Sequence, residues 1–569
     1  MNVTYNMPCA LRDGVLLATD LYLPDAPGAY PAILMRTPYG KEHLPTEPLY
    51  DFFPPLVADG YAVAVQDIRG TGASQGDMGL NGQNEYRDGH DAVEWLAAQP
   101  FCNGSVGMFG LSYFGFTQTA AASGASPHLK AICPFMSPSQ TPFGASQMHT
   151  IMLGHLGWAY AQLLQHPEHF LPEPDFRAQM LPTLQAFGAQ LRDIQMELPM
   201  HRNRAAMLPG VPMLRDYLDL VEGIEDPNYW AKMGAPLDFD KVHTAIFYGT
   251  GWLDGACEWT IASYLATRRS ADAFTRENAR LLIGPWPHGG HLPAQIEDID
   301  FGADSAGASQ GVADQMHRWF DRYIKEKPVD IFEGRVRYFI RGSNAWAHAA
   351  DWPPPEAVMQ PLYFAPGERL THQAPEEAGE CCYAADPMQP TPSEFRDSQG
   401  RALIPDWSEI SARADVLAFY GEPLQEALTI AGGMRLTLFA ATDAPDTDFA
   451  CRLLDIAPDG RQTRLLDGLV RASYRKGFFQ KEAIVPGEVT TYAFTVGHTA
   501  HCFLPGHRIG VQVCSYMVPT HNRNLNTGEP STRSAAWAIA HQRVQVGGAW
   551  ASHIEIPVLP HPQGGDGAC

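Results

Sequence analysis

The sequence predicts an α/β protein in which an α/β domain is interrupted by helices and followed by an all-β domain. Its 569 residues exceed the ~250–300 residues at which a single hydrophobic core stops growing. Short apolar runs alternate with helical patterns over 1–140 and 237–352, which is typical of a parallel sheet with crossover helices. Residues 141–236 show a helical pattern, whereas 353–569 alternate apolar and polar residues as antiparallel strands do.

The sheet of the α/β domain is predicted from six apolar runs bounded by glycine, proline, aspartate or similar breakers. The runs are Ile33–Met35, Ala62–Val65, Val106–Phe109, Ala131–Cys133, Thr244–Tyr248 and Leu281–Ile283. Asp91–Ala98 and the stretch from Met316 to Ile324 repeat apolar residues at helical spacing. We therefore expect a buried parallel sheet with helices packed against it.

The insertion is predicted to be helical, and the C-terminal region is predicted to be all-β. Residues 141–236 are rich in Met, Leu, Gln and His, and prolines punctuate their loops, which favours a helical cap. After the run Trp352-Pro353-Pro354-Pro355 the sequence becomes strand-like, with turn signals such as Pro458-Asp459-Gly460. The clearest alternating stretches are Met434–Phe439, Thr490–Val496 and Ile509–Tyr516. They predict an antiparallel sandwich over 353–569.

Composition excludes several classes of function. A formal net charge of −23 argues against nucleic-acid binding and against docking on an anionic membrane. The N-terminus lacks the basic and apolar regions of a secretory signal, and no apolar run reaches ~18 residues. The ten cysteines show no CxxC spacing, which favours reduced thiols in the cytoplasm. We expect no cofactor, no metal, no nucleic acid and no membrane partner, and we leave a homo-oligomer open.

The strongest local signal for chemistry is the run Gly110-Leu111-Ser112-Tyr113-Phe114-Gly115. It lies between a predicted strand and a helix-compatible run, and it is one residue longer than the G-x-S-x-G nucleophile elbow. Small residues at such a turn let the backbone bend sharply and expose the serine hydroxyl above the sheet edge. Ser112 is therefore the candidate nucleophile, although an ordinary Gly/Ser turn has the same composition.

A serine hydroxyl needs an adjacent base, and in this kind of fold an acid and then a histidine follow the serine along the chain. Asp254 lies in the loop after Thr244–Tyr248, and His288 lies in the loop after Leu281–Ile283. These positions predict a triad of Ser112, Asp254 and His288. His291 is a rival base at this stage, and the two histidines could instead bind a metal, but no third ligand clusters with them.

The oxyanion of an acyl-transfer reaction needs two hydrogen-bond donors. The backbone N–H of Tyr113 is one candidate, because it follows the nucleophile. The hydroxyl of Tyr39, in the loop after an early strand, is the other. The glycine-rich run Asp67–Gly76 lacks the spacing of a phosphate loop, so we interpret it as structural.

Together these motifs resemble the CocE/NonD hydrolases, the relatives of cocaine esterase, α-amino acid ester hydrolases and X-prolyl dipeptidyl peptidases. The matching stretches span nearly the whole chain: Arg36–Lys41, Asp67–Gly76, Glu85–Trp95, Asn103–Gly115, Gly251–Gly255, Ile283–His288, Asp446–Phe449, Pro458–Arg461 and Tyr474-Arg475. The resemblance implies an α/β-hydrolase domain with an inserted helical cap and a C-terminal jelly roll. It also implies the triad Ser112, Asp254 and His288, with Tyr39 and Tyr113 forming the oxyanion hole, and it favours His288 over His291.

The leading prediction is a serine hydrolase that cleaves a small ester or amide through an acyl-enzyme on Ser112. The alternatives are an X-Pro dipeptidyl peptidase, an α-amino acid ester hydrolase or β-lactam acylase, and a non-catalytic carbohydrate-binding protein. Trp158 and Trp252 are predicted to line the substrate pocket. Acidic residues of the cap could hold an α-ammonium group, but a solvated surface explains them equally well: Glu168, Glu173, Asp175, Asp216 and Asp219.

Overall fold

The structure is a computed structural model that describes residues 1–42, 53–78, 84–137, 152–232, 237–289, 292–297, 299–393, 395–396, 402–403 and 406–560. The predicted domain boundaries at 140 and 236 lie outside the described residues, as does the rival base His291.

The N-terminal part contains most of the first sheet. Its elements are β1 (Asn2–Ala10), β2 (Leu16–Leu23), β3 (Tyr30–Thr37), α1 (Phe53–Ala58), β4 (Ala62–Asp67), α2 (Glu85–Ala97), β5 (Cys102–Leu111), α3 (Tyr113–Ser123) and β6 (Leu129–Phe135). The four apolar runs predicted in this part all lie within strands β3 to β6. The antiparallel pair β1 and β2 was not predicted, because β1 is mostly exposed and therefore carries no apolar run.

The insertion is helical over the residues that the structure describes. Its helices are α4 (Met152–Gln165), α5 (Pro167–Phe170), α6 (Pro174–Gly188), α7 (Leu191–Gln195), α8 (Pro212–Gly223) and α9 (Pro227–Lys232). Their apolar side chains share one core with Tyr113 and Phe116 of α3, so the cap packs on the helix that follows Ser112. None of the helices in the described ranges is both long and apolar enough to cross a membrane.

After the cap the chain returns to the first sheet. The elements are β7 (Ala245–Leu253), α10 (Cys257–Arg268), α11 (Ala273–Glu277), β8 (Ala279–Pro287), β9 (Gln295–Ile296), β10 (Ile299–Asp300), α12 (Val312–Tyr323), β11 (Val336–Ile340) and β12 (Ala345–Ala349). The strand order is β1-β2-β4-β3-β5-β6-β7-β8-β11-β12, and neighbours from β4 to β11 are parallel. The carboxyl ends of β5, β7 and β8 therefore meet at one edge of the sheet.

Where the structure describes it, the C-terminal part is all-β apart from one short α-helix and two 3₁₀ turns. Its elements are β13 (Val358–Ala365), β14 (Arg369–Thr371), β15 (Gly379–Ala385), β16 (Phe395–Arg396), β17 (Ala402–Leu403), α13 (Ser408–Ser411), β18 (Leu417–Tyr420), β19 (Leu428–Thr442), β20 (Asp448–Ile456), β21 (Gln462–Arg471), β22 (Thr490–Phe503), β23 (Arg508–Cys514), β24 (Ala540–Val546) and β25 (His553–Val558). Eleven of these strands form one sheet around a separate apolar core, and β16 pairs with β17 alone. This is the predicted α/β domain with a C-terminal β-domain.

The β-domain docks close to the edge of the first sheet. Glu258 of α10 accepts hydrogen bonds from the backbone N and from Nδ1 of His498 on β22, at 2.6 and 2.8 Å. Arg341, just after β11, donates to Oγ1 of Thr499 at 2.6 Å. Since α10 begins three residues after Asp254, these contacts fix the loop that carries the candidate acid.

Candidate active site

Ser112 occupies a strained turn between β5 and α3. Its φ of 60° and ψ of −125° lie in a region that non-glycine residues seldom adopt. A Cβ at Gly110 would lie 2.4 Å from Cβ of Phe114, and a Cβ at Gly115 would lie 2.9 Å from the carbonyl of Phe135 on β6. A side chain at Gly115 would therefore clash with β6, so a glycine is required one residue later than in G-x-S-x-G.

The structure brings the three predicted catalytic side chains into one hydrogen-bonded line. Nε2 of His288 lies 2.9 Å from Oγ of Ser112, and Nδ1 of His288 lies 2.6 Å from Oδ1 of Asp254. Each residue immediately follows a strand, β5, β8 or β7, at the same sheet edge. Such a line can move a proton from the hydroxyl to the imidazole.

Asp254 is buried, and each of its carboxylate oxygens has a local donor. Oγ1 of Thr250 donates to Oδ2, and the backbone N of Ala256 donates to Oδ1, both at 2.9 Å. These bonds stabilise the ionised carboxylate and fix its orientation. Sequence reasoning missed Thr250, although the hydroxyl lies in the same glycine-rich stretch that identified the acid.

His288 is set up as a base by its partner. Burial by itself would lower the pKa of His288, but the hydrogen bond and the charge of Asp254 outweigh it and raise that pKa above its ordinary value of 6.5. The imidazole side chain is 44% exposed, whereas that of Asp254 is fully buried. Water can therefore reach the base while the acid stays shielded.

Tyr39 lies beside the nucleophile. Trp158 and Ser112 are the polar groups beside its hydroxyl, and burial raises the pKa of this phenol, which keeps it protonated. The ring of Trp158 also stacks on Tyr113 at a centroid distance of 5.9 Å. Tyr113 begins α3, so its backbone N–H has no partner within the helix.

A buried ion pair contacts the start of α3, directly after Ser112, and sequence reasoning missed its role. Nη1 of Arg36 donates to Oε2 of Glu85 at 2.5 Å, and the hydroxyl of Tyr113 donates to Oε1 of Glu85 at 3.4 Å. Burial raises the pKa of Glu85, which Arg36 opposes. Arg36 directly follows the apolar run Ile33–Met35, which indicates a buried charge that needs a partner, whereas Glu85 lies among polar residues and gives no such signal.

The glycine-rich loop after β4 is structural, in keeping with its interpretation from sequence. Asp67 accepts from the backbone N of Lys41 at 2.8 Å and of Ala73 at 3.0 Å. Arg69 pairs with Asp88, both bonds at 2.8 Å. The loop thereby holds the segment that follows Tyr39.

Trp252 and Trp158, the two predicted pocket residues, occupy different environments. Trp158 contacts Tyr39 and Tyr113 next to the nucleophile. Trp252 is buried, donates to the carbonyl of Phe339 at 2.6 Å and packs on Trp352. These contacts are those of a core residue, and the role of Trp252 in the substrate pocket stays a prediction.

The comparisons with known proteins agree over almost the whole chain. The sequence models of two families match: X-Pro dipeptidyl-peptidase (S15 family) over 13–290, and the X-Pro dipeptidyl-peptidase C-terminal non-catalytic domain over 332–555. Cocaine esterase of Rhodococcus sp. (strain MB1 Bresler) is 31% identical over 98% of this chain and 99% of that protein. The chain belongs to the CocE/NonD family of hydrolases.

Two solved structures share the architecture of this CocE/NonD hydrolase. An aminopeptidase from the marine sediment archaeon Thaumarchaeota archaeon is 25% identical with a TM-score of 0.81, covering 98% of this chain and 96% of that one. An α-amino acid ester hydrolase covers the same shares at 24% identity with a TM-score of 0.79. The predicted family, fold class and hydrolase class are confirmed. Ser112, Asp254 and His288 all lie within 13–290, the range of the first family model. The second model is described as a non-catalytic domain.

Proposed function

We propose that this hydrolase cleaves carboxylic esters through a covalent acyl-enzyme on Ser112. The observation that carries the proposal is the line from Oγ of Ser112 through His288 to Asp254, with distances of 2.9 and 2.6 Å. Hydrolases of this kind act on a carbonyl carbon, and the similarity to cocaine esterase favours an ester as substrate.

In the first half-reaction, Oγ of Ser112 attacks the carbonyl carbon while Nε2 of His288 takes its proton. Asp254 holds the Nδ1–H of His288 and stabilises the imidazolium that forms. The negative charge on the substrate oxygen is met by the hydroxyl of Tyr39 and the backbone N–H of Tyr113. When the tetrahedral intermediate collapses, His288 gives its proton to the leaving alkoxide and the acyl group remains on Ser112.

In the second half-reaction, water replaces the alcohol. His288 removes a proton from the water, which attacks the acyl-enzyme carbonyl, and the same two donors meet the oxyanion. Collapse releases the carboxylic acid, and His288 returns the proton to Oγ of Ser112. The exposed imidazole of His288 supports this step, since the water must reach its Nε2 atom.

A second candidate is cleavage of an amide next to a free α-ammonium group, as in an X-Pro dipeptidyl peptidase. The match to that family over 13–290 and the likeness to an aminopeptidase favour it. The same triad would perform the chemistry, so the two candidates differ in substrate and not in mechanism.

The test combines one variant with two substrates. We expect p-nitrophenyl butyrate to show a higher kcat/KM than Ala-Pro-p-nitroanilide, and we expect Ser112→Ala to abolish turnover of either substrate. The folded state of the variant is checked by its melting temperature and circular dichroism. Turnover that survives in folded Ser112→Ala would refute the acyl-enzyme, and a preference for Ala-Pro-p-nitroanilide would favour the peptidase.

A further inference from the structure

The two proposed oxyanion donors, Tyr39 and Tyr113, come from different elements, but one buried carboxylate connects those elements. Tyr39 follows the end of β3, and Tyr113 begins α3. Glu85, the first residue of α2, contacts both elements. Its Oε2 lies 2.5 Å from Nη1 of Arg36 on β3, and its Oε1 lies 3.4 Å from the hydroxyl of Tyr113. A change at Glu85 therefore acts on the supports of both donors.

On the β3 side, Arg36 holds the strand end that leads to Tyr39. Its side chain is fully buried, and its Nε donates to Oε1 of Gln66 on the neighbouring strand β4 at 3.0 Å. Arg36 lies three residues before Tyr39, whose backbone N donates to Oγ1 of Thr37 at 2.9 Å. Because a buried guanidinium needs a counter-charge, Glu85 stabilises the conformation in which this strand end carries Tyr39.

On the α3 side, the buried ring of Tyr113 is held by three groups. Glu85 accepts from its hydroxyl, and the ring of Trp158 stacks on it at an interplanar angle of 5°. Phe116 packs against it edge to face, with the ring centroids 5.5 Å apart. The N–H of Tyr113 is bonded to the same Cα as this side chain. Fixing the ring therefore restricts the direction in which the N–H points.

We propose that Glu85 is the positioning residue of the oxyanion hole and sets the hydroxyl of Tyr39 and the backbone N–H of Tyr113 relative to each other. The inference rests on the proposed acyl-enzyme mechanism. An oxyanion hole is effective because its donors are fixed before the negative charge develops. Within the described residues, the side-chain hydrogen bonds of Glu85 go to Arg36 and Tyr113 and not to the triad, so Glu85 acts through the two donors.

Loss of this positioning should slow the chemical step and spare substrate binding. The donors meet a full negative charge in the transition state but only a neutral carbonyl in the bound substrate. Glu85→Gln keeps the shape of the side chain and removes the charge opposite Arg36. We expect kcat for p-nitrophenyl butyrate to fall about tenfold, less than after the loss of a whole donor, while KM stays within about twofold.

Asp351 provides a matched control because its carboxylate has the same two kinds of partner. It accepts from the hydroxyl of Tyr264 at 2.7 Å and from Nε of Arg268 at 2.9 Å. Asp351→Asn should lower the melting temperature, as Glu85→Gln should, but it should leave kcat unchanged.

Two further measurements separate positioning from a general loss of stability. A trifluoromethyl ketone accepts Oγ of Ser112 at its carbonyl carbon while the proton passes to His288, so the adduct carries a negative oxygen. The affinity for this ketone should fall in Glu85→Gln by about the same factor as kcat. Tyr113→Phe removes the hydroxyl contact and keeps the ring, so Glu85→Gln should lower kcat less in Tyr113→Phe than in the wild type.

An unchanged kcat in folded Glu85→Gln would overturn the proposal. Equal losses of kcat in Glu85→Gln and Asp351→Asn, an unchanged affinity for the ketone, or strictly additive effects of Glu85→Gln and Tyr113→Phe would also overturn it. If Glu85→Gln does not fold, Tyr113→Phe decides alone, since its kcat must fall at a constant KM. Ser112→Ala tests the acyl-enzyme separately, so an inactive Ser112→Ala beside a fully active Glu85→Gln refutes this inference and not the proposed function.

Discussion

Two histidine–aspartate pairs in this protein have similar distances and opposite environments. Nδ1 of His288 lies 2.6 Å from Asp254 at the sheet edge, and Nε2 of His501 lies 2.9 Å from Asp455 in the β-domain. Asp254 raises the pKa of His288, whereas complete burial lowers the pKa of His501 despite Asp455. A second histidine, His507, shares the carboxylate of Asp455 at 2.8 Å.

The difference shows what a histidine–aspartate pair needs in order to act as a base. His288 points its second nitrogen at the hydroxyl of Ser112, and its side chain is 44% exposed. Nδ1 of His501 is buried and has no hydrogen-bond partner within the described part of the chain. On the proposed mechanism, the imidazole acts as a base because it lies beside a nucleophile and is accessible to solvent, and a carboxylate partner alone does not make it one.

The largest effect should come from the same substitution made in both pairs. His288→Gln is expected to lower kcat for p-nitrophenyl butyrate by about 10⁴-fold or more, because no base remains for Ser112. His501→Gln should leave kcat unchanged and lower the melting temperature, since Asp455 loses a buried partner. Steady-state kinetics and thermal unfolding of both variants check this; equal losses of kcat would abolish the distinction.

The next largest effect concerns the hydroxyl of Tyr39, a hydrogen-bond donor that the pair His501–Asp455 in the β-domain lacks. Tyr39→Phe should lower kcat by about 10²–10³-fold, because one of two oxyanion donors is lost. Tyr160→Phe is the matched control, since that buried hydroxyl donates to the carbonyl of Ala205 in the cap at 2.9 Å. It should lower stability by about 1 kcal/mol and leave kcat intact. A normal kcat in Tyr39→Phe would remove Tyr39 from the oxyanion hole.

A smaller effect should follow from removing one of the hydrogen bonds that hold the carboxylate of Asp254 in place. Thr250→Val removes the donor to Oδ2 of Asp254 but keeps the bond from the backbone of Ala256, so a loss of about tenfold in kcat/KM is expected. Thr267→Val, on α10, removes a buried contact to Tyr248 of β7 and should change stability alone. If both variants lose the same activity, Thr250 has only a structural role.

The smallest effects are the changes of kcat/KM and of stability with pH. They should arise from opposite pKa shifts, since the pKa of His288 is raised and that of His501 is lowered. The base must be neutral, so kcat/KM should fall as the pH drops through the raised pKa of His288, with a midpoint above 6.5. His501 has a lowered pKa in the folded state, so its contribution to stability is complete above 6.5 and is lost as the pH falls below it. Kinetics and unfolding as functions of pH measure both; a midpoint below 6.5 for kcat/KM would contradict the account of His288.

The sequence predicted the line through Ser112 because each of its members follows a buried strand, and such positions are recognisable from apolar runs and small residues. It did not predict the two strands of the N-terminal hairpin, since the mostly exposed β1 has no apolar run. The role of Thr250 and the pairing of Arg36 with Glu85 depend on contacts across the fold, which local patterns do not contain. The packing of Trp252 on Trp352 also joins distant segments, and its place in the substrate pocket stays a prediction.

The domain boundaries at 140, 236 and 352, the absence of a cofactor, the cytoplasmic location and the homo-oligomer stay predictions. Glu168, which the sequence grouped with a solvated acidic surface, lies within 3.5 Å of His169 in the structure.

The most direct test of the central claim is mass spectrometry of the protein after reaction with a fluorophosphonate. The hydroxyl of Ser112, activated by His288, should carry a single adduct, and fragmentation should locate it on the peptide that contains Ser112. The adduct should be absent in Ser112→Ala and slow to form in His288→Gln. An adduct on another residue, or labelling of His288→Gln at the wild-type rate, would contradict the account.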